Sequence, residues 1–187
     1  MFRLTRPTAQ QIEAFRRAQG RLAFSYADPG MTQGPAPHGF DDDRARTLLG
    51  HGPDAWQRAC AAIRSWRTFD VGWVTLFDEH ASIEPGTTVA VLLRVAGLWS
   101  LNAARIVYVI DEPDRFGFAY GTLPDHAESG EELFLVEQEP DGSVHYVILA
   151  YSRQSQLPAR AFRPWARVLQ NRFRADSLAA MCRAVSD

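Results

Sequence analysis

From Val71 to about Arg153 apolar residues recur with a period of two, broken at short intervals by turn residues, and a helical pattern follows. That order constrains the fold most. Successive strands joined by short turns pair antiparallel, because a parallel pair needs a crossover of a dozen residues or more. Strands are expected near 71–77, 87–96, 103–111, 116–122, 131–139 and 144–153. Pro85-Gly86 precedes the second, the Gly97 to Asn102 stretch separates the second from the third, and Asp111-Glu112-Pro113-Asp114 makes a turn. Asp141-Gly142 is a hairpin signal. With no crossover helices the class is α+β rather than doubly wound.

Pro158 and Pro164 lead into the last helix. Trp165, Val168, Leu169 and Phe173 mark one apolar stripe and Leu178, Met181 and Val185 another. At about 100° per residue the second is rotated away from the first. The helix is therefore expected to touch different surroundings at its two ends, or to bend near Arg174.

Upstream, Thr8 and Gln11 form a capping-box pattern that predicts a helix to about Gly20. Residues 27–39 hold six Gly or Pro and read as a loop or tether. Residues 40–48 are a weaker strand candidate, with Asp41–Asp43 expected as a solvated turn rather than a metal site. Gly52-Pro53 opens a helix with proline where its missing N–H costs nothing. Trp56, Ala59, Cys60, Ile63 and Trp66 then form its apolar stripe. The expected organisation is one domain over 1–187, with 1–38 as an N-terminal helix and arm. A chain of this length buries roughly 70% of its unfolded surface, enough for a core without staples.

Several function classes lose support. Net charge is −2, against a nucleic-acid partner. All 20 basic residues are arginine, a pattern that base composition or guanidinium recognition of anions would both give. Cys60 and Cys182 form no C-x-x-C and sit in helical patterns, as small buried hydrophobes do. The five histidines lack H-x-x-x-H or H-E-x-x-H spacing, so no metal is expected, and no glycine-rich loop leads into a helix to cradle phosphate, so no cofactor is expected. The N-terminus has no apolar run. The longest such run, Val89 to Leu93, stops at Arg94, too short for a bilayer. A soluble cytoplasmic protein, monomer or homodimer, is the expectation.

Strands 103–111 and 144–153 are apolar on both faces, around Tyr108 and Tyr146, where a one-sided sheet would alternate. Both faces must be covered, one by the final helix. The concave side of such a sheet is filled by large side chains or by a ligand. A small apolar or amphipathic ligand is the leading expectation, with Trp73 among the candidate lining residues. The most suggestive polar cluster is Tyr120, Thr122, His126, Glu131 and Glu132. One reading pairs His126 with a carboxylate as a base, giving a hydrolase, cyclase or isomerase. The other makes these residues staples of a loop. Arg105 starts an apolar strand and needs a carboxylate, an anionic ligand or solvent. Arg172 and Asp176, at i,i+4, lie angularly close to the first stripe of the final helix. A third reading is a protein-interaction module.

Several segments in order carry a resemblance. They are LLGHGPDAWQRA at 48–59, R-x-F-x-x-GW from Arg67 to Trp73, NAARIVYVIDEP at 102–113, RFGFAYGTLPDHAESGEELF at 115–134 and AYSR at 150–153. Over roughly residues 20–180 the chain resembles uncharacterised protein family 0548, related to the C-terminal part of the YndJ proteins. That family is similar to the START-like (SRPBCC, pollen-allergen-like) superfamily. The resemblance implies a helix-grip fold: a strand, two short helices, a six-strand meander and a long C-terminal helix, with a curved sheet of six or seven strands. ADPGMTQGPAP after Tyr26 departs from the family pattern, and the resemblance implies no reaction.

Overall fold

A computed structural model describes residues 2–78, 80–126, 128–154 and 163–186. Its centre is one antiparallel sheet of seven strands in the order β2-β8-β7-β6-β5-β4-β3. In chain order these are β2 (Asp41–His51), β3 (Val74–Phe77), β4 (Thr88–Val95), β5 (Leu98–Asp111), β6 (Arg115–Thr122), β7 (Glu128–Gln138) and β8 (Ser143–Gln154). A two-residue strand β1 (Phe2–Arg3), which the sequence pattern did not mark, pairs with β5. The helices are α1 (Ala9–Gln19), α2 (Gly52–Arg64) and α3 (Arg163–Ser186). The lead-in through Pro158 lies outside the described residues.

Local signals act as expected at most boundaries. Thr8 and Gln11 close the capping box of α1, and Pro53 occupies the first turn of α2. One boundary is corrected. Residues 98–102 are not a separator but the first part of β5, because Leu98, Ser100 and Asn102 continue the alternation. The turn is the pair Ala96-Gly97, both at positive φ, 49° and 79°, as a tight hairpin requires.

The sheet curves around α2 and α3, and two glycines allow it. A Cβ on Gly117 would lie 2.1 Å from Phe134 O, and one on Gly130 would lie 2.0 Å from Tyr151 O. Neighbouring backbone approaches these positions too closely for any side chain. A register shift between Ile106 and Tyr108 bends β5 as well.

The inner face carries the main core. Val89, Ala104, Ile106, Phe118, Phe134, Tyr146 and Ile148 pack with Ala59 and Ile63 of α2 and Met181 and Val185 of α3. The outer face is covered in part by α1, through Ile12 on Ala90 and Leu92, and in part by the arm, through Tyr26 and Met31 on Tyr151. This two-sided cover explains why β5 and β8 are apolar on both faces.

Phe173, Leu178, Met181 and Val185 of the expected stripes face the core, whereas Trp165 and Val168 do not. Trp165 and Val168 are 41% and 61% exposed. Arg167, Gln170, Arg174 and Ser177 point inward instead, making bonds to β2 and β8. Spaced by three and four, they continue backwards the buried stripe of Met181 and Val185. So α3 grips the sheet with polar side chains in its first half and apolar ones in its second. Among the described residues no helix is long and apolar enough to cross a membrane.

Candidate functional site

The inner face beneath the first half of α3 is where aromatic and polar side chains meet. Strand alternation brings Glu128, Glu132 and Phe134 of β7 to that face beside Phe118 and Tyr120 of β6, Tyr146 and Ser152 of β8 and Asp43 of β2. The 3-10 turn Arg67–Phe69 adds Phe69. The Phe69 ring centroid is 6.1 Å from that of Tyr120, 5.5 Å from Phe134 and 5.6 Å from Phe173. Tyr120 meets Phe134 edge-on at 5.2 Å. These rings fill the deep part of the space.

The polar side is organised around two carboxylates. Asp43, 7% exposed, accepts a bidentate pair from Arg167 at 2.6 and 2.9 Å and lies 3.3 Å from Arg174. This corrects the reading of Asp41–Asp43 as a solvated turn: the run is strand, and alternation sends Asp43 under α3. Glu132 accepts a hydrogen bond from Tyr120 Oη at 3.0 Å. It is part-exposed, yet burial dominates its carboxyl and pushes it up to about 7, against the pull of the Tyr120 hydroxyl. Burial also raises Glu128, opposed by Gln170, and raises Tyr120 well above its ordinary value. Deeper in, Tyr146 Oη and Ser177 Oγ are 3.0 Å apart. The wholly buried Thr68 hydroxyl lies beside the same tyrosine and, like Ser177, opposes the upward push of burial on its hydroxyl.

The polar cluster expected from sequence divides between two faces. Tyr120, Glu132 and Tyr146 come together inside. Glu131, one residue along, points outward and is buried beneath the arm. It accepts from Tyr26 Oη (2.7 Å), Gly30 N–H (2.7 Å), Thr32 N–H (3.0 Å) and the Thr32 hydroxyl. That hydroxyl also meets Tyr108 Oη at 2.8 Å, so Tyr108 belongs to the outer face. Gly121 makes room for Tyr26 and Phe24, which a Cβ there would strike. Thr122 Oγ1 bonds both backbone groups of Gly130 at the sheet's rim. His126 is in the β6–β7 connection, where its Nδ1 accepts from Glu128 N–H at 3.1 Å. Burial takes its pKa down to about 4. The grouping of His126, Glu131 and Glu132 as one acid–base set is thereby corrected: β alternation sends the two glutamates to opposite sides.

The other candidates lie apart. Arg105 is on the outer face, donating to Gly20 O and Leu22 O at 2.8 and 2.7 Å, where it satisfies carbonyls at the end of α1. Trp73 Nε1 donates to Asp176 Oδ2 at 2.8 Å, and Arg172 lies over the Trp73 ring at 4.8 Å. That trio ties β3 to the flank of α3. Sequence reasoning missed Asp43, Arg167, Arg174 and Phe69. Arg167 and Arg174 were accessible by extending the Met181 and Val185 stripe backwards, and Asp43 only by carrying strand alternation through Asp41–Asp43 of β2. Phe69 sits in a short 3-10 turn with no periodic signal. No cluster of His, Cys, Asp or Glu suited to a metal occurs among the described residues.

The family described as "Domain of unknown function (DUF1990)" matches residues 25–180, and the chain belongs to it. A UPF0548 protein of Dictyostelium discoideum is 33% identical over 207 residues, covering 99% of this chain and 96% of that one. A UPF0548 protein of Deinococcus radiodurans is 37% identical over 184 residues, covering 92% of each. Among solved structures, the Zhui aromatase/cyclase from Streptomyces sp. R1128 is similar with a TM-score of 0.55. It is 11% identical, and the match covers 79% of this chain and 94% of that one. At that identity the likeness shows the fold alone, and the fold is the START-like helix grip.

Proposed function

We propose that this DUF1990 family member binds one small amphipathic molecule between the inner sheet face and the first half of α3. Its apolar part lies against Phe69, Phe134 and Phe173, and its polar end reaches Glu132 and Tyr120. The observation that carries this reading is the state of Glu132. Its carboxyl is desolvated by burial, yet Tyr120 fills only one of its acceptor positions among the described residues. A carboxyl that served structure alone would be saturated, as Glu131 is by four donors. Binding sites combine apolar walls with a few convergent polar groups, and the polar first half of α3 gives this region that character.

The test is native mass spectrometry of protein purified without detergent, with a titration by the neutral dye 6-propionyl-2-(dimethylamino)naphthalene (prodan). A co-purifying small molecule, or 1:1 uptake of the dye, supports the reading. Absence of both overturns it.

A further inference from the structure

We infer that the bound molecule is a flat apolar compound bearing a ketone or ester carbonyl, and that the Glu132 carboxyl donates a hydrogen bond to that oxygen while Tyr120 holds the carboxyl in place. The inference rests on the binding reading above and adds the chemical class of the ligand.

Geometry supplies the first part. Tyr120 Oη engages Oε2 of Glu132 at 3.0 Å, which leaves Oε1 for another partner. The Tyr120 ring is pinned by Phe69 and Phe134, so the carboxyl is held from a fixed point. The neighbouring walls are rings, and flat frames stack on rings.

Charge supplies the second part. Glu132 faces Glu128 on its own strand, Asp43 from β2, Tyr120 from β6, Tyr146 from β8 and Arg174 from α3. Arg167, further along α3, faces Glu128 and Asp43. Both arginines are engaged with Asp43. An anionic head would meet three carboxyls whose nearby guanidiniums are already committed. A neutral acceptor oxygen meets no such repulsion, and a carboxyl kept neutral by burial is a good donor to it. The upward displacement of Glu132 to about 7 agrees with that role.

Prodan carries a suitable carbonyl. Binding that requires the protonated carboxyl weakens as that form is depleted, by roughly 100-fold from about pH 6 to about pH 9. Glu132→Gln keeps a neutral donor at every pH, so its affinity is expected to be the same at both. Tyr120→Phe removes a bond that favours the ionised form, so it is expected to move the midpoint of the profile upward. That result stands independently if Glu132→Gln fails to fold. In competition, methyl 2-naphthoate displaces the dye and 2-naphthoate does not. Equal affinity of the unaltered protein at both pH values, or equal displacement by ester and acid, overturns the carbonyl assignment and leaves the binding reading intact. No uptake by any of the proteins at either pH overturns the carbonyl assignment, and with no co-purifying molecule it overturns the binding reading as well.

Discussion

Glu131 and Glu132 are adjacent in sequence and sit on opposite faces of the same strand. Glu131 is 2% exposed, sealed under the N-terminal arm by four donors; Glu132 is under α3 with one donor among the described residues. Strand alternation alone separates a structural carboxylate from a candidate binding group.

The first consequence concerns the arm. Glu131→Ala leaves Tyr26 Oη and two backbone N–H groups without their acceptor. Removing hydrogen bonds to a charged group is expected to cost about 3 kcal/mol. Urea denaturation measures it, and limited proteolysis should show new cleavage within 27–39. A loss below about 1 kcal/mol would mean that water replaces the carboxylate easily.

Asp43 ties β2 to α3. Its side chain is 8% exposed and Arg174's 11%, while Arg167's is 36%, so the Arg167 half of the network is partly screened. Asp43→Asn strands two guanidiniums and is expected to cost about 2 kcal/mol. Hydrogen exchange should quicken in β2 and the first half of α3 while β4 and β5 stay protected.

Glu132 gives a pH dependence of definite sign. Its folded-state pKa, about 7, lies above the ordinary 4.5. Between these values the folded chain holds more protons than the unfolded one, so the group's contribution falls as pH rises. His126, lowered from 6.5 to about 4, acts oppositely. The folded chain then holds fewer protons, and stability rises with pH over that window. The two oppose each other between 4.5 and 6.5, so the difference between variant and parent is the informative quantity. Glu132→Gln should gain about 2 kcal/mol relative to the parent as pH goes from about 4.5 to above 7. A constant difference would show that Glu132 is not desolvated.

Curvature depends on Gly117 and Gly130. Alanine at either position meets backbone oxygen at about 2 Å, and overpacking of this kind costs about 3 kcal/mol. Thermal unfolding checks it. Gly142→Ala, at a hairpin with φ 82° and only Gly52 N, at 4.0 Å, near its missing side chain, should cost only about 1 kcal/mol.

The strands and helices were legible because turn chemistry and periodicity are local. The expected strand at 116–122 is observed as Arg115–Thr122, and that at 144–153 as Ser143–Gln154. The capping box at Thr8 and the proline at α2 behaved likewise. What failed was orientation. Trp165 and Val168 suggested the inward face of α3 by hydrophobicity, but the inward stripe runs through Arg167, Gln170 and Arg174, whose partners Asp43 and Ser152 are more than a dozen residues away. Similarly, nothing local to Glu131-Glu132 says that the arm supplies donors to the first. Polar burial is decided by distant partners, and one sequence does not pair them.

The most direct test of the account is a crystal structure of the protein grown with prodan near pH 6. The account predicts the dye between β7 and the first half of α3, its carbonyl oxygen within about 3 Å of the Glu132 carboxyl. Dye seated on the outer sheet face, or Glu132 closed off by Phe69, Phe173 and α3 with no dye beside it, would contradict it.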